Sequence, residues 1–584
     1  MTGAAFAAPL FPMPSPKPLE NPWYYLDNFE FVLRWIAQRY GDLLQSDEHE
    51  FIRAFLQAPQ ASRGLLVRMI MRKGSLFRAS KLQYREIGSP SMAARPLIAA
   101  GWVSEDPLLT LDELFDLLTK AELATLFRPQ LAAAQAAAAA KPVQLACLQA
   151  QFPEARPYSQ WAGQRPSAPG GAASGLSGDA VYRENIAALS ERLRLMFFGN
   201  LRQDWTEFVL SDLGLFTYEK VEFSRGSRAF HTRQDVDAYL HLHHCREAYM
   251  AGVEAADAEA IAAVRKAIPP AHENDWLEAR RGKLLFQIGQ HHERSGNWDH
   301  ALDCYEGCAY PGARARRIRV LERAQRFEQA LELAQAALPA PESEAEQQLL
   351  ARMMPRLLRR SGGARAARRA ASGVPQTRLE LPAPAAWLRV EEQVRHHLQK
   401  PQAPVFYVEN TLITALFGLL CWDAIFAAIP GAFFHPFQQG PADLLRADFH
   451  PRRRALFAAC FAQLASGQYK HTILRNYACK AGIQSPFVAW DVIGAEVLAM
   501  ALACIPARHL EFAFERLLRD LRGNRSGLPD LIQFWPAERR YQMIEVKGPG
   551  DRLQDNQIRW LDYCHARDMP VAVCYVRYQP ADMP

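Results

Sequence analysis

The stretch that decides the fold is residues 528–547, which read LPDLIQFWPAERRYQMIEVK. It contains two runs of strand-forming residues, LIQFW and YQMIEVK, and the intervening PAERR is long enough for a hairpin. Because side chains alternate across a strand, Glu545 and Lys547 project from one face while Val546 points to the other. Asp530 stands at the start of the first strand. We therefore predict that two carboxylates and one ammonium group converge on this hairpin.

The charged side chains of the hairpin suit metal-dependent hydrolysis of phosphodiester bonds. Hard divalent cations such as Mg²⁺ or Mn²⁺ prefer oxygen ligands, which Asp530, Glu545 and the backbone carbonyl of Val546 can supply. Such an ion polarises phosphate and activates water, and a lysine beside it orients or deprotonates that water. Gln557, on the helix expected next, can face the same site. We predict catalytic roles for Asp530, Glu545, Lys547 and Gln557.

Length and composition indicate a folded protein with several domains. The chain has 584 residues, more than one hydrophobic core usually organises. Its residues are 49% hydrophobic and 22% charged, a balance that excludes a disordered chain. A net charge of +6 is mild, so any nucleic-acid surface must come from local clusters. The cysteines lack a Cys-x-x-Cys pair, as in reduced cytosolic proteins. With no signal peptide or membrane span in the sequence, we expect a cytoplasmic, nucleoid-associated bacterial protein without membrane contact.

Upstream of the hairpin, the chain reads as helical modules around one linker. Helical spacing of apolar residues begins near Tyr24, and Thr or Asp caps precede short paired helices between Pro96 and Arg128. A segment rich in Gly, Ser, Pro and Ala follows at 163–179 and predicts a flexible connector. Farther on, an aromatic residue followed three residues later by Ala-Leu occurs twice, at Trp298 and Phe327. This pattern is typical of tetratricopeptide repeats, although the offset here is shorter than usual.

A basic cluster lies at the end of the first helical region. Its basic residues alternate with Leu76 and Phe77, as in surfaces that follow a phosphate backbone. The alternative is an ordinary solvated face, which most charge runs are. We predict DNA contacts for Arg72, Lys73, Arg78 and Lys81.

The order of acidic strand, Glu-x-Lys strand, helix and strand resembles the PD-(D/E)xK nuclease superfamily. Three segments resemble its VRR-NUC branch: RSGLPDL at 525–531, EVKGPGDRL at 545–553, and Asn556-Gln557 with Trp560. Three upstream segments resemble the Fanconi-associated nuclease family: Tyr24-Tyr25-Leu26, Val67 to Tyr84, and FGLLCWD at 417–423. The resemblance covers most of the chain from about Tyr24.

The resemblance implies a multidomain, mainly α protein that ends in an α/β PD-(D/E)xK, restriction-endonuclease-like domain. The expected domains are a helical DNA-binding region at 20–95, a SAP-like module at 96–160, a linker at 161–180, further DNA-binding helices at 181–270, tetratricopeptide-like helices at 271–375, and a VRR-NUC nuclease domain at 376–584 with its core at 480–580.

The resemblance also implies residue roles and an activity. It adds Glu409 as a metal ligand and Arg522, Arg525 and Arg552 as DNA-binding residues. It implies structure-selective 5′-flap incision of branched DNA, 5′-to-3′ exonuclease action and a role in interstrand-crosslink repair. Two departures exist: no Cys-x-x-Cys leads the chain, so no ubiquitin-binding zinc finger is expected, and Asn556 stands where the animal relatives have a lysine for a 5′-phosphate.

Two alternatives remain open from the sequence. A Holliday-junction resolvase would use the same catalytic motif, because related compact VRR-NUC proteins resemble such enzymes. A non-catalytic scaffold would bind DNA with the nuclease fold and a protein partner with the tetratricopeptide-like helices. The joint presence of Asp530, Glu545 and Lys547 argues against the scaffold.

Overall fold

The computed structural model describes residues 21–163, 179–212, 214–222, 227–362, 373–382 and 388–579. Within this part of the chain the protein is mainly helical, as predicted. Two compact units are present: one takes in Pro16–Leu215 and Phe230–Arg233, the other Phe216–Ala229 and Gln234–Pro584. Most of the linker predicted at 161–180 lies outside the described residues.

The first unit consists of short helices around small sheets. Its helices are α1 (Tyr24–Tyr40), α2 (Ser46–Gln57), α3 (Gln60–Ile70), α4 (Pro90–Ala99), α5 (Leu111–Leu117), α6 (Lys120–Leu126), α7 (Arg128–Ala133), α8 (Lys141–Gln149), α9 (Tyr158–Gly163), α10 (Ala187–Phe198) and α11 (Thr206–Asp212). Its strands are β1 (Leu76–Arg78), β2 (Val103–Glu105), β3 (Leu108–Leu109), β4 (Arg156–Pro157) and β5 (Val181–Glu184). Strand β5 pairs antiparallel with both β1 and β2, and β3 pairs antiparallel with β4.

Two capping boxes start the paired short helices α5 and α6. The Thr110 hydroxyl accepts from the Glu113 amide at 3.2 Å, and the Thr110 amide donates to the Glu113 carboxylate at 2.9 Å. Thr119 and Glu122 repeat this exchange at 3.3 and 2.8 Å. Each box satisfies donors that the first helical turn leaves unpaired. The prediction of capped, paired helices is therefore confirmed.

The second unit begins with a run of helices. They are α12 (Arg233–Glu254), α13 (Ala258–Ala267), α14 (Asp275–Arg294), α15 (Trp298–Glu306), α16 (Ala313–Arg323), α17 (Phe327–Ala337) and α18 (Glu344–Arg360). From α14 onward each helix packs on the next. Ala301 and Ala330, three residues after the aromatic positions, are fully buried, because a small side chain lets neighbouring helices approach closely. The protein partner expected for these helices stays a prediction.

The remaining elements form a mixed sheet with helices. The strands are β6 (Gln376–Leu381), β7 (Val405–Tyr407), β8 (Leu531–Trp535), β9 (Arg540–Lys547) and β10 (Val571–Tyr578). The helices are α19 (Val390–Leu398), α20 (Leu412–Leu420), α21 (Trp422–Ile425), α22 (Arg454–Ser466), α23 (Tyr469–Cys479), α24 (Ala495–Cys504), α25 (Ala507–Arg519), α26 (Leu521–Asn524) and α27 (Asp555–His565). Among the described strands the order is β6-β10-β9-β8-β7, in which β7, β8 and β9 run antiparallel and β9, β10 and β6 run parallel.

The predicted hairpin is present, and its residues alternate between two apolar layers. β8 and β9 pair from Leu531 with Ile544 to Trp535 with Arg540. Ile532, Phe534 and Met543 belong to a large core with α20, α22, α24 and α25. Leu531, Ile544 and Val546 pack on the other face with Val394 of α19. Since Val546 faces the α19 layer, Glu545 and Lys547 project from the opposite face, as predicted.

The most apolar helix of the second unit, α20, lies in the core and is buried along its whole length. No single helix in the described ranges has the length and apolar character to cross a membrane. Two consecutive helices, Ala495–Cys504 and Ala507–Arg519, together have that length and composition, but they meet at an angle of 110°.

Candidate active site

Asp530 lies directly before β8, where it faces the end of β9. Its side chain is buried, and its Oδ2 accepts a hydrogen bond of 2.8 Å from the backbone N–H of Val546. In an extended strand the N–H and C=O of one residue point to the same side. The Val546 carbonyl therefore faces the Asp530 edge of β9, where the sequence predicted a ligand.

Glu545 and Lys547 form a buried pair on one face of β9. The Glu545 side chain is 0% exposed and the Lys547 ammonium lies 2.7 Å from its Oε1. Neither Glu545 oxygen has a partner with hydrogen-bond geometry among the described residues. Buried carboxylate oxygens are costly without such partners. The pair is therefore under-satisfied by the protein alone.

Burial raises the pKa of both carboxyl groups. The pKa of Asp530 rises to about 6, mainly through burial, against the opposing effects of the Val546 hydrogen bond and the Lys547 charge. The pKa of Glu545 rises to about 7 through burial and the neighbouring Asp530 charge. A site in which two carboxylates resist ionisation favours an added cation.

Glu409 is held beside the Asp530 loop by the turn that follows β7. The Val408 N–H donates to the Asp530 carbonyl at 2.8 Å. Asn410, whose φ is +54°, accepts from the Leu528 N–H at 3.1 Å and donates to Glu409 Oε1 at 3.2 Å. Asn tolerates this left-handed conformation better than most residues. The turn therefore fixes Glu409 next to the Leu528-Pro529-Asp530 segment.

The donor set fits a divalent cation. Asp530, Glu545, Glu409 and the Val546 carbonyl are hard oxygen donors, and Glu545, which has Lys547 beside only Oε1, keeps lone pairs available. Within the described ranges, however, no three Asp, Glu, His or Cys side chains already form a complete cage. Glu409 Oε2 is instead engaged by the Tyr407 hydroxyl at 2.5 Å. These four groups would hold the ion.

Gln557 lies in the first turn of α27, and the catalytic role predicted for it stays a prediction. It is the third residue of α27, and its Oε1 accepts a 2.8 Å hydrogen bond from the Gln554 N–H. The Gln554 side chain bonds back to the Gln557 backbone and completes a capping box. We therefore assign Gln557 to the start of α27.

The three arginines expected to bind DNA near the hairpin differ in exposure. Arg522 and Arg552 are exposed. Arg525 lies over the Phe487 ring at 4.9 Å and donates to the Pro486 carbonyl, and burial lowers its pKa. Arg525 is thus held by contacts within the protein, and the DNA-binding roles of all three arginines stay predictions.

Gly527 allows the RSGLPD segment to lie directly against the first turn of α27. Its φ is +91°, and an added Cβ would lie 2.7 Å from the Asn556 backbone carbon. Only glycine meets both conditions without strain. The amide of Asn556 in turn donates to the Ser526 hydroxyl at 3.3 Å. This contact couples the Asp530 loop to the first turn of α27.

In the first unit, the predicted basic cluster divides into two kinds of residue. Arg72, Lys73 and Lys81 are exposed. Arg78 is buried, with ion pairs of 2.7 Å to Glu122 and 2.8 Å to Asp179. Both ion pairs engage Arg78 within the protein, and the DNA contact predicted for it stays a prediction.

Sequence reasoning missed Glu391 and Tyr407 near the carboxylates. The negative charge of Glu391, in the first turn of α19, contributes to the raised pKa of Asp530. Tyr407 ends β7 and bonds Glu409. Neither lies in a motif, and only the pairing of β7 with β8 and the packing of α19 on β9 bring them near the hairpin.

The mixed sheet, the buried acidic pair and the adjacent lysine define a metal-dependent nuclease of the PD-(D/E)xK class. Residues 464–578 match the VRR-NUC domain, 23–104 the FAN1 HTH domain, and 108–161 the Fanconi anemia-associated nuclease SAP domain. The Fanconi-associated nuclease 1 homolog of Pseudomonas aeruginosa is 53% identical over 99% of both chains. The chain therefore belongs to the Fanconi-associated nuclease family and is a DNA nuclease.

Two further comparisons differ in how much of this chain they cover. A crystal structure of paFAN1 bound to 5′-flap DNA with a two-nucleotide flap and a gap superposes with a TM-score of 0.91. It is 53% identical and covers 97% of this chain and 100% of that one. Fanconi-associated nuclease 1 of Danio rerio is 34% identical over 29% of this chain and 18% of its own length.

Proposed function

We propose that this chain is a structure-selective nuclease that incises branched DNA on the 5′-flap side and degrades DNA in the 5′-to-3′ direction, within interstrand-crosslink repair. The observation that carries the proposal is the buried cluster in which Asp530 accepts from the Val546 N–H and the Lys547 ammonium lies 2.7 Å from Glu545. The 5′-flap DNA of the paFAN1 structure supports the substrate class.

The position of each residue in the site indicates its role in metal binding or in orienting water. Asp530, Glu545, Glu409 and the Val546 carbonyl would hold the cation, for which we propose Mg²⁺ or Mn²⁺. When bound, such an ion stabilises the charge that develops on the phosphate. The Lys547 ammonium, 2.7 Å from Glu545, orients the attacking water and offsets the same charge. Burial around Glu545 keeps bulk water from weakening these interactions.

The deciding experiment compares labelled 5′-flap, 3′-flap and four-way junction DNA in Mg²⁺, in Mn²⁺ and in EDTA. We expect cuts near the 5′-flap junction in either metal and none in EDTA. Paired symmetric nicks across the four-way junction with little flap cutting would instead identify a Holliday-junction resolvase. DNA binding without cleavage of any substrate would identify a scaffold.

A further inference from the structure

Tyr407 is placed where its hydroxyl reaches the carboxylate that completes the metal site. It is the last residue of β7 and pairs with Leu531 at the start of β8. Its side chain is 36% exposed, so little of the core depends on it. The hydroxyl donates to Glu409 Oε2 at 2.5 Å. The contact is therefore a polar one at the edge of the sheet.

Both oxygens of Glu409 are held, from two different directions. Asn410 donates to Oε1 and is itself fixed by the Leu528 N–H, so one oxygen is tied to the loop before Asp530. The Tyr407 hydroxyl fixes the other oxygen from the side of β7. A carboxylate oxygen has two lone pairs, and one can accept this hydrogen bond while the other ligates a cation. The two donors together define the rotation of the carboxylate.

The Tyr407 hydroxyl lies among the carboxylates of the site, where it contacts Glu409 directly and has Asp530 and Glu391 near it. Its hydrogen bond also offsets part of the repulsion among these carboxylates.

We propose that Tyr407 is a positioning residue of the metal centre, whose hydroxyl orients the Glu409 carboxylate toward Asp530 and Glu545. The inference rests on the proposed function, because it assigns a second contact to a ligand of that site. Hydrogen bonds behind a ligand fix its orientation and strengthen its binding, so their loss weakens metal affinity without removing any ligand.

The test is Tyr407→Phe in the full chain, with Mn²⁺ affinity measured by the electron paramagnetic resonance signal of free Mn²⁺. We expect affinity to fall by about 10- to 100-fold, the usual effect of losing such a partner. Tyr578→Phe is the matched control, because Tyr578 lies on β10 of the same sheet and no role in the site is assigned to it. Mn²⁺ binding by Tyr407→Phe equal to that of the wild type would overturn the inference.

Two further measurements separate positioning from damage to the fold. Saturating Mn²⁺ should return the cleavage rate of Tyr407→Phe to within about threefold of wild type, since a lost positioning contact shifts the metal requirement more than kcat. In a Glu409→Gln background, Tyr407→Phe should have almost no additional effect, because the two act on one ligand. A reduced rate that metal does not restore, or full additivity with Glu409→Gln, would contradict the role.

The outcome also distinguishes the inference from the proposed function. If Asp530→Asn weakens Mn²⁺ binding and Tyr407→Phe does not, the result supports the proposed metal site and contradicts the positioning role of Tyr407. If Asp530→Asn leaves Mn²⁺ binding unchanged, the metal site of the proposed function fails and the assignment of Tyr407 fails with it.

Discussion

Two buried clusters of charged side chains, one in each unit, differ in their hydrogen bonds. One cluster is satisfied by its own hydrogen bonds, and the other is the proposed metal site. In the first unit Arg78 pairs with Glu122 and Asp179. In the second Lys547 accompanies Glu545 and Asp530. At the centre of each cluster one cation meets two carboxylates, and Glu409 adds a third carboxylate near the second, so the central charges alone do not distinguish a structural cluster from a site.

Hydrogen bonding makes the difference. Asp179 receives bonds from the Ser80 amide and hydroxyl at 2.9 and 2.6 Å as well as from Arg78. Burial raises its pKa, but these bonds outweigh burial and leave the pKa lowered. Glu545 has no comparable hydroxyl or backbone donor; burial outweighs the Lys547 ammonium beside it, and its pKa is raised to about 7. The carboxylates of the first cluster are satisfied by partners within the protein, whereas a bound cation would stabilise the ionised carboxylates of the second.

The comparison is tested most strongly by Asp530→Asn, which keeps an acceptor for the Val546 N–H and removes the charge. We expect cleavage of 5′-flap DNA to fall by roughly 10³-fold or more, as for other residues that act as a unit in the reaction. Single-turnover rates at saturating enzyme measure the effect, and DNA affinity should be nearly unchanged.

Glu538→Gln is the matched control for this variant. Glu538 lies in the turn of the same hairpin, its side chain is 57% exposed, and it pairs with Arg540. It should cleave like the wild type. If Asp530→Asn kept more than a tenth of the activity, the second cluster would be structural like the first.

A smaller effect is expected from Arg78→Met, which removes the cation of the first cluster. Glu122 and Asp179 would remain without their partner, and we expect unfolding free energy to fall by about 3 kcal/mol. The value lies at the low end for buried pairs because the Glu122 side chain is 25% exposed. Urea unfolding of the full chain measures it.

The exposed neighbour Lys73 is the control, and Lys73→Met should change stability by less than about 0.5 kcal/mol. It should instead lower DNA affinity and reduce the salt dependence of binding by about one unit of slope. The opposite pattern, a stable Arg78→Met with weakened DNA binding, would contradict the structural role of this cluster and support the DNA contact predicted for Arg78.

Local rules predicted the hairpin because its information lies within a few residues. Alternation alone places Glu545 and Lys547 on one face, and the Thr-x-x-Glu spacing alone predicts the caps of α5 and α6. Family resemblance identifies Glu409, but no local pattern does. Its position depends on the pairing of β7 with β8, two segments far apart in the chain.

The ion pairs of Arg78 are hidden from the sequence for the same reason. In the sequence, Arg78 looks like Lys73 and Lys81, because all three are basic residues around Leu76 and Phe77. The acids that take up its donors lie 44 and 101 residues farther along the chain. A charge pattern predicts a surface only when no distant partner is folded against it.

The pH dependence of stability gives the smallest effect. In the metal-free protein the pKa values of Asp530 and Glu545 are about 6 and 7, against ordinary values of 3.8 and 4.5. Both pKa values are raised, so the native state binds more protons than the unfolded chain between these limits. The stability from the protonated carboxyls is full below about pH 4 and is lost as the pH rises through 6 to 7.

Asp530→Asn isolates this contribution from the other titrating groups. Between pH 5.5 and 8 in EDTA, the wild type should lose about 1 kcal/mol of stability relative to the variant. Mg²⁺ or Mn²⁺ should reverse the trend, because the cation binds the deprotonated carboxylates and stabilises the wild type more at pH 8 than at pH 5.5. Parallel pH profiles for wild type and variant would mean that the Asp530 carboxylate is as well satisfied as that of Asp179, and the contrast between the two clusters would disappear.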